Sequence, residues 1–324
     1  MTLAPPAAVP PPPGAPGESL LRTDGLTLTY PGGTTALQDL AMDVPRGSVG
    51  LVGANGAGKT TLFRLMLGQL HPTAGRLEVV GRPVAEDPVG IRARLGYMPE
   101  HDCLPNDQTA ADLVATFGEL AGLPPEAARQ RASDMLDLVG LDEARFRPVG
   151  GFSTGMRQRT KLAQALVADP ELVLLDEPTA GLDPMGREEM LDLVGRLATF
   201  GVSVLFATHL LDDVQRVCDH VVMIDAGRLV VAGPIEDLVA RTGMLRVEVG
   251  GRPDAVEVFT AALAAAGLRT TAVDAHVVDI DTAEHGEEIF DTVRDLVAAE
   301  GLRLYSLSSR HHSLDELFVQ EASR

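Results

Sequence analysis

The chain has 324 residues, enough for one large domain or two smaller ones with a buried core. Its 27 basic and 46 acidic residues give a formal net charge of −19 without a basic stretch, so nucleic acid is disfavoured as a partner. No run approaches the roughly 20 apolar residues that span a bilayer, and no signal-peptide pattern opens the chain, which predicts a cytoplasmic protein. Cys103 and Cys218 lack metal-like spacing, which predicts reduced thiols.

The N-terminal part of the chain is predicted to form a tail and two strands. Residues 1–18 are rich in proline and alanine, which predicts a disordered tail. From Leu20 to Tyr30 apolar and polar residues alternate as in a half-buried strand, which ends at a Pro-Gly-Gly turn. The short apolar run at residues 47–52 predicts a second strand.

The strongest motif is the loop that follows, Gly-Ala-Asn-Gly-Ala-Gly-Lys-Thr at residues 53–60, which fits the phosphate-binding pattern G-x-x-x-x-G-K-[ST]. It precedes a predicted helix at residues 61–67, so backbone N–H groups and a helix N-terminus point at one anion. The chain contains only two lysines, and this Arg-rich sequence keeps Lys59 where a compact ammonium must fit between phosphate oxygens. A glycine-rich turn without a ligand is the competing interpretation. The residues predicted to bind nucleotide here are Gly53, Asn55, Gly56, Gly58, Lys59, Thr60 and Thr61.

Helices and strands alternate in the next segment of the chain. Residues 106–170 show helical periodicity, and the apolar run at residues 172–175 is typical of a buried parallel strand. A helix at residues 187–200 and a strand at residues 203–207 follow. This alternation predicts an α/β sheet that carries its active site at the carboxyl ends of the strands.

Two adjacent carboxylates follow the buried strand at residues 172–175. Asp176 suits the shell of a Mg²⁺ ion together with the Thr60 hydroxyl, and Glu177 suits a general base or a group that orients water near the γ-phosphate. Capping of the next helix is the alternative role of such residues. An Asp-Glu pair after four aliphatic residues, followed by Pro-Thr, fits capping poorly and favours the catalytic role.

The pattern changes after residue 240. Strand-like alternation at residues 245–249, a helix at 255–266, a strand at 277–280, a helix at 289–299 and a strand at 303–307 predict a small α+β module. Ser313 is predicted to cap a terminal helix.

Residues 20–233 resemble the ATP-binding subunits of ABC transporters. The segment at residues 152–159 is similar to the family signature Leu-Ser-Gly-Gly-Gln and matches it at Ser153 and Gly155. It departs from the signature at residues 152, 154 and 156, as do variants in the export branch that pairs with separately encoded permeases. In the family, this segment closes over ATP held by the other protomer.

The resemblance also assigns roles to residues outside the phosphate loop. Tyr30 occupies the position of the adenine-stacking aromatic, and Asp183 lies in a segment that resembles the D-loop. His209 follows the pattern of the switch histidine, which contacts the γ-phosphate. The segment Tyr-Met-Pro-Glu at residues 97–100 resembles the coupling loop, with Glu100 near Mg²⁺ where the family more often has Gln.

The resemblance implies an ABC-type nucleotide-binding domain with a helical subdomain at residues 19–240 and an accessory domain at residues 241–324. ATP and Mg²⁺ are the implied cofactors. Because the chain holds one phosphate loop and one signature, two copies or a related ATPase subunit would form two composite sites. A separate integral-membrane permease would carry the exported substrate, which implies an ATPase at the inner face of the cell membrane.

Two other interpretations of the sequence stay open. One is a soluble ABC-type ATPase that acts as a mechanical switch on a ribosome or DNA complex. Such proteins usually carry two nucleotide domains or a long coiled-coil insertion, which this chain lacks. The other treats the module after residue 240 as a ligand sensor rather than as a dimer contact or regulatory extension.

Overall fold

The computed structural model of the chain describes residues 19–241, 243–282, 285–286 and 288–311. The predicted tail at residues 1–18 and the terminal helix predicted from Ser313 lie outside the described residues. Contacts divide the chain into two compact units, one ending at Gly233 and the other beginning at Pro234. The division into domains at residues 19–240 and 241–324 stays a prediction.

The first unit begins with an antiparallel sheet of four strands in the order β2-β1-β4-β5. These strands are β1 (Ser19–Thr29), β2 (Thr35–Pro45), β4 (Ala74–Val79) and β5 (Arg82–Pro83). The strand predicted from the alternation at residues 20–30 is confirmed as β1. In β2 an irregularity shifts the pairing between Leu37 and Leu40, and Asp39 has a positive φ of 52°. Because such a bulge breaks the two-residue period, the buried positions of β2 are three residues apart at this point and two apart after it.

A six-stranded sheet in the order β10-β9-β3-β8-β7-β6 forms the other layer of this unit. Its strands are β3 (Ser48–Val52), β6 (Leu95–Met98), β7 (Leu172–Asp176), β8 (Ser203–Thr208), β9 (His220–Asp225) and β10 (Arg228–Pro234). The pairs β3/β8, β7/β8, β6/β7 and β3/β9 are parallel. Every residue of β3, β7 and β8 is buried, as the apolar runs predicted, and the α/β fold class is confirmed. Parallel pairing brings the carboxyl ends of these three strands to one edge.

In the described part of the first unit, seven α-helices are interspersed with the strands along the chain. They are α1 (Lys59–Met66), α2 (Pro88–Arg92), α3 (Ala110–Leu120), α4 (Pro125–Leu138), α5 (Thr154–Leu166), α6 (Pro184–Thr199) and α7 (Leu211–Val217). The stretch between β6 and β7 contains α3, α4 and α5, which confirms the helical region predicted at residues 106–170. Thr109 caps α3, accepting a hydrogen bond from the Asp112 amide at 3.1 Å.

The second unit contains a four-stranded antiparallel sheet in the order β12-β13-β11-β14 and a core of its own. Its elements are α8 (Ile235–Arg241), β11 (Gly243–Gly250), α9 (Ala255–Ala265), β12 (Thr270–Ala272), β13 (Val277–Asp281), α10 (Glu288–Ala299) and β14 (Arg303–His311). Val247, Phe259, Val278 and Val293 are completely buried between the sheet and the helices. The predicted α+β module is confirmed, with the short β12 as an addition. Among the described residues of both units, no helix has the length and apolar character required to cross a bilayer.

Strand β6 touches helix α5 backbone to backbone at Gly96. A Cβ atom built there would lie 2.1 Å from the carbonyl oxygen of Ala165. This close approach of the strand to the C-terminal end of α5 is possible only because residue 96 has no side chain.

We expect Gly96→Ala to lower the free energy of unfolding by about 1–3 kcal/mol, because the backbone atoms it meets cannot move aside cheaply. Gly233→Ala is the matched control, since a Cβ at that position meets nothing within 4 Å, and we expect it to change stability by less than about 0.5 kcal/mol. Urea unfolding of the two variants measures the difference. Equal stabilities would show that the close approach is not required.

Candidate active site

The loop between β3 and α1 is held in its shape by two glycines. A Cβ at Gly53 would lie 2.3 Å from the carbonyl oxygen of Ile224, and one at Gly58 would lie 2.8 Å from the carbonyl oxygen of Ala36. Gly58 also has a φ of 113° and Gly56 one of 85°, in the region that favours glycine. The sequence pattern of the loop thus reflects both steric and backbone requirements.

The loop ends at the N-terminus of α1, which begins at Lys59 without a side-chain cap. First-turn N–H groups without intrahelical partners, together with the helix dipole, favour a bound anion. The buried ammonium of Lys59 donates to the Gly53 carbonyl at 2.6 Å and lies 3.5 Å from the Glu177 carboxylate. A positive charge and a helix N-terminus therefore face the same place.

Asp176 ends β7 beside the start of α1. Its Oδ2 atom accepts a hydrogen bond from the Thr60 hydroxyl at 3.1 Å, while its buried Oδ1 atom has no hydrogen-bond partner. Burial raises the pKa of Asp176, and the nearby carboxylates of Glu100 and Glu177 raise it further, against the hydrogen bond from Thr60. A buried carboxylate oxygen without a partner, next to a hydroxyl, is a donor set suited to a hard divalent cation.

Glu177 is fixed by the side chains of Lys59 at the start of α1, Thr208 at the end of β8 and His209 directly after it. Its carboxylate accepts from the Thr208 hydroxyl at 3.3 Å, and Nδ1 of His209 lies 3.1 Å from both carboxylate oxygens. With Lys59, these contacts hold a carboxylate that is itself buried. Glu177 also has a φ of 48°, a costly conformation for a non-glycine residue that recurs at functional sites.

Lys59, Asp176 and Glu177 line one cleft of about 230 Å³ with the phosphate loop, at the carboxyl edge of the parallel sheet. Its lining residues are Ala54, Asn55, Gly56, Gly58, Lys59, Thr60, Thr61, Glu100, Asp176 and Glu177. The Tyr30 hydroxyl lies at the rim, 3.2 Å from the Thr61 hydroxyl. Two larger hollows, of about 360 and 540 Å³, contain none of the predicted site residues, so chemistry rather than size identifies this cleft.

Six predicted residues are not part of this lining, namely Tyr30 at the rim, Gly53, His209, Ser153, Gly155 and Asp183. Ser153 caps the N-terminus of α5, where its hydroxyl accepts from the Met156 amide at 3.3 Å, and Gly155 follows in the first turn. Asp183 caps α6 through the Gly186 amide at 3.0 Å. Ser153 and Asp183 are exposed, and each stands at a separate helix start.

A buried ion pair next to the site was not predicted from the sequence. Asp213 of α7 is 1% exposed; it accepts from the Thr179 hydroxyl at 2.8 Å and from Arg187 of α6 at 2.7 Å. It thereby joins the segment after Glu177 to the helix after His209. The only signal in the sequence is an acidic residue at a position of α7 that faces the core.

The arrangement defines a P-loop ATPase: a phosphate loop, a carboxylate with a free buried oxygen and a positioned glutamate share one cleft. Residues 37–180 match the family described as ABC transporter. The chain belongs to this family as an ATP-binding subunit, and it binds and hydrolyses ATP.

Curated relatives extend the match over most of the chain. The daunorubicin resistance ATP-binding protein DrrA3 of Streptomyces coeruleorubidus is 35% identical over 303 residues, which cover 93% of this chain and 95% of that protein. The Nod factor export ATP-binding protein I of Ralstonia nicotianae is 36% identical over 251 residues, which cover 77% of this chain and 75% of that protein.

Solved structures agree with the fold of the first unit. CbiO1 of Clostridium perfringens, part of the ABC transporter complex CbiONQ, is 30% identical and superposes with a TM-score of 0.63 over 69% of this chain and 91% of that one. The ATP-binding cassette MJ0796, solved as a dimer with ADP and Pi, has a TM-score of 0.61 over 66% of this chain and 98% of that one. At 22% identity, the second structure supports the fold alone.

We expect Glu177→Gln to lower ATP turnover by roughly 10²–10⁴-fold, because the amide cannot accept a proton from the attacking water. Binding of ATP should persist, since Lys59 and the phosphate loop are unchanged. Turnover and equilibrium binding of a fluorescent ATP analogue measure the two effects separately. Unchanged turnover would contradict the assignment of Glu177.

Proposed function

We propose that this chain drives export of a substrate through a separate integral-membrane permease, using ATP hydrolysed in the cleft at the carboxyl edge of the parallel sheet. The observation that carries the ATPase chemistry is the convergence of Lys59, Asp176 and Glu177 in one cleft. The export role is supported by relatives whose names refer to drug resistance and to Nod factor export. Association with the inner face of the cell membrane follows from this role.

The residues of the cleft divide the work of hydrolysis. The loop amides and the Lys59 ammonium bind the β- and γ-phosphates and offset their negative charge. Glu177 orients the attacking water and takes its proton. His209, whose Nδ1 lies 3.1 Å from the Glu177 carboxylate, contacts the γ-phosphate. Tyr30 stacks on the adenine beside Thr61.

Mg²⁺ fits the donor set at the end of β7. Thr60 and Asp176 would hold it, with Glu100 close by, because the Oδ1 atom of Asp176 is buried and free of hydrogen bonds. Bound there, the ion would offset negative charge that develops on the phosphates during transfer. A cation next to Asp176 would also favour its ionised form, which burial disfavours.

The active form is a pair of chains, either two copies or this chain with a related ATPase subunit. Ser153, Gly155 and Asp183 do not line the cleft of their own chain. The exposed start of α5, with its serine hydroxyl, is suited to contact a phosphate held by another protomer. Each ATP would then lie between the phosphate loop of one chain and Ser153 of the other.

Mixing two inactive variants tests this pairing. Lys59→Met removes phosphate binding, and Ser153→Arg blocks the start of α5; each should be inactive alone. In a mixed pair one site is intact, because it takes Lys59 from one chain and Ser153 from the other. With random pairing we expect about a quarter of wild-type turnover if the two sites act independently. If mixed pairs form but recover no activity, the composite site is contradicted.

Purification with a trapped nucleotide tests the export role. Glu177→Gln, isolated from solubilised host membranes with Mg-ATP, should co-purify with a stoichiometric polytopic membrane protein. Lys59→Met, which cannot hold ATP, is the control. It should retain less of the membrane protein if closure of the paired chains over ATP strengthens the complex. Recovery with ribosomes or another cytosolic assembly instead would favour the mechanical-switch alternative and overturn the export proposal.

A further inference from the structure

Lys161 is the second of the two lysines, and the mechanism above does not use it. It lies in α5, is 3% exposed and donates to the carbonyls of Pro99 at 2.7 Å, Glu100 at 3.1 Å and His101 at 3.5 Å. Among the described residues, no carboxylate lies within ion-pair distance of its ammonium. Three donors on one nitrogen thus meet three carbonyls, an arrangement that a planar guanidinium does not reproduce.

Arg157, one turn earlier on the same helix, holds the other end of the same segment. Its guanidinium pairs with Asp102 at 2.6 Å and donates to the Asn106 side chain at 3.0 Å. Together Lys161 and Arg157 bind residues 99–106, which we call the coupling segment. This segment is attached to α5 at both ends by cations from one helix face.

Helix α5 connects the coupling segment to the predicted partner-facing serine. Its N-terminus is capped by Ser153, and near its C-terminus Ala165 touches Gly96 of the core sheet. At 1.5 Å per residue along the helix, Ser153 lies about 18 Å from Ala165, and Lys161 lies about 6 Å from Ala165. A tilt of α5 about the contact with Gly96 therefore moves Ser153 about three times as far as Lys161.

We propose that Lys161 is a positioning residue that makes the coupling segment and α5 move as one body, so that a displacement of the segment is carried, enlarged, to Ser153. The inference rests on the proposed function, because Ser153 acts on ATP held by a second protomer. Lys161 therefore influences the site of the partner chain more than the site of its own chain.

The mixed-pair experiment separates this role from a purely structural one. In the pair of Lys59→Met with Ser153→Arg, the intact site takes Ser153 from the first chain and Lys59 from the second. Adding Lys161→Met to the chain that supplies Ser153 should lower turnover about tenfold or more, the scale expected of a small misplacement. Adding it to the chain that supplies Lys59 should lower turnover by a smaller factor, because the hydrogen bond of Lys161 to the lining of that cleft goes to the main-chain carbonyl of Glu100. The affinity for a fluorescent ATP analogue should stay the same in both cases.

Controls distinguish the ways in which this result can fail. Arg131→Met removes a cation of the neighbouring helix α4 that contacts Asp169 instead of the coupling segment, and it should have little effect in either chain. The inference would be overturned if Lys161→Met lowered turnover equally in both chains or did not lower it at all. A loss of turnover only in the chain that supplies Lys59 would also overturn it. If the mixed pair without Lys161→Met recovers no activity, the composite site fails instead.

A second readout is amide hydrogen exchange in the full-length protein. Lys161→Met should speed exchange in residues 99–106 at least tenfold while β3 and β7 keep wild-type rates. Faster exchange throughout the first unit would overturn the inference, and so would an unchanged exchange rate in the coupling segment. If Lys161→Met does not fold, Arg157→Met carries the same two tests, because it releases the other end of the segment.

Discussion

The buried contact between Lys59 and Glu177 depends on the assembly of the parallel sheet of the first unit. The two residues are 118 positions apart and meet at 3.5 Å only because β3 and β7 both pair with β8 in parallel. A buried ion pair is weak evidence for stability, since desolvation offsets most of its attraction. Its value here is positional: it keeps an ammonium and a carboxylate facing one cleft, where nucleotide phosphates and water must also meet.

The sequence predicted the parts of the site whose signal is local. The phosphate loop, the continuous apolar strand before Asp176 and the signature segment around Ser153 each occupy a few consecutive residues, so a local pattern indicates each of them. Strand β2 was missed because the bulge near Asp39 breaks its alternation. The partners of Asp213 and Lys161 lie 26 to 62 residues away in the chain, so no local pattern reports them.

Helix α5 has more roles than its signature serine suggests. Besides Lys161 and Arg157, its Gln158 donates to the Ala180 carbonyl at 3.2 Å, close to the segment that leads to Asp183. One helix thus contacts the segment after β6, the segment after Glu177 and the core sheet at Gly96. A rigid element with three such attachments transmits movement better than a loop, because packed interiors deform little.

The scarcity of lysine gives the folded protein an unusual chemical profile. Both side-chain amines are shielded, with Lys59 at 6% and Lys161 at 3% exposure. An amine-reactive reagent can therefore reach Lys59 only through the cleft that it lines, and Lys161 only when the coupling segment leaves α5. The mass of the modified peptide tells which lysine has reacted. Protection of Lys59 would follow occupancy of the cleft, while protection of Lys161 would follow attachment of the coupling segment. The reactivity of the two lysines thus reports two different motions of the native chain, without any engineered probe.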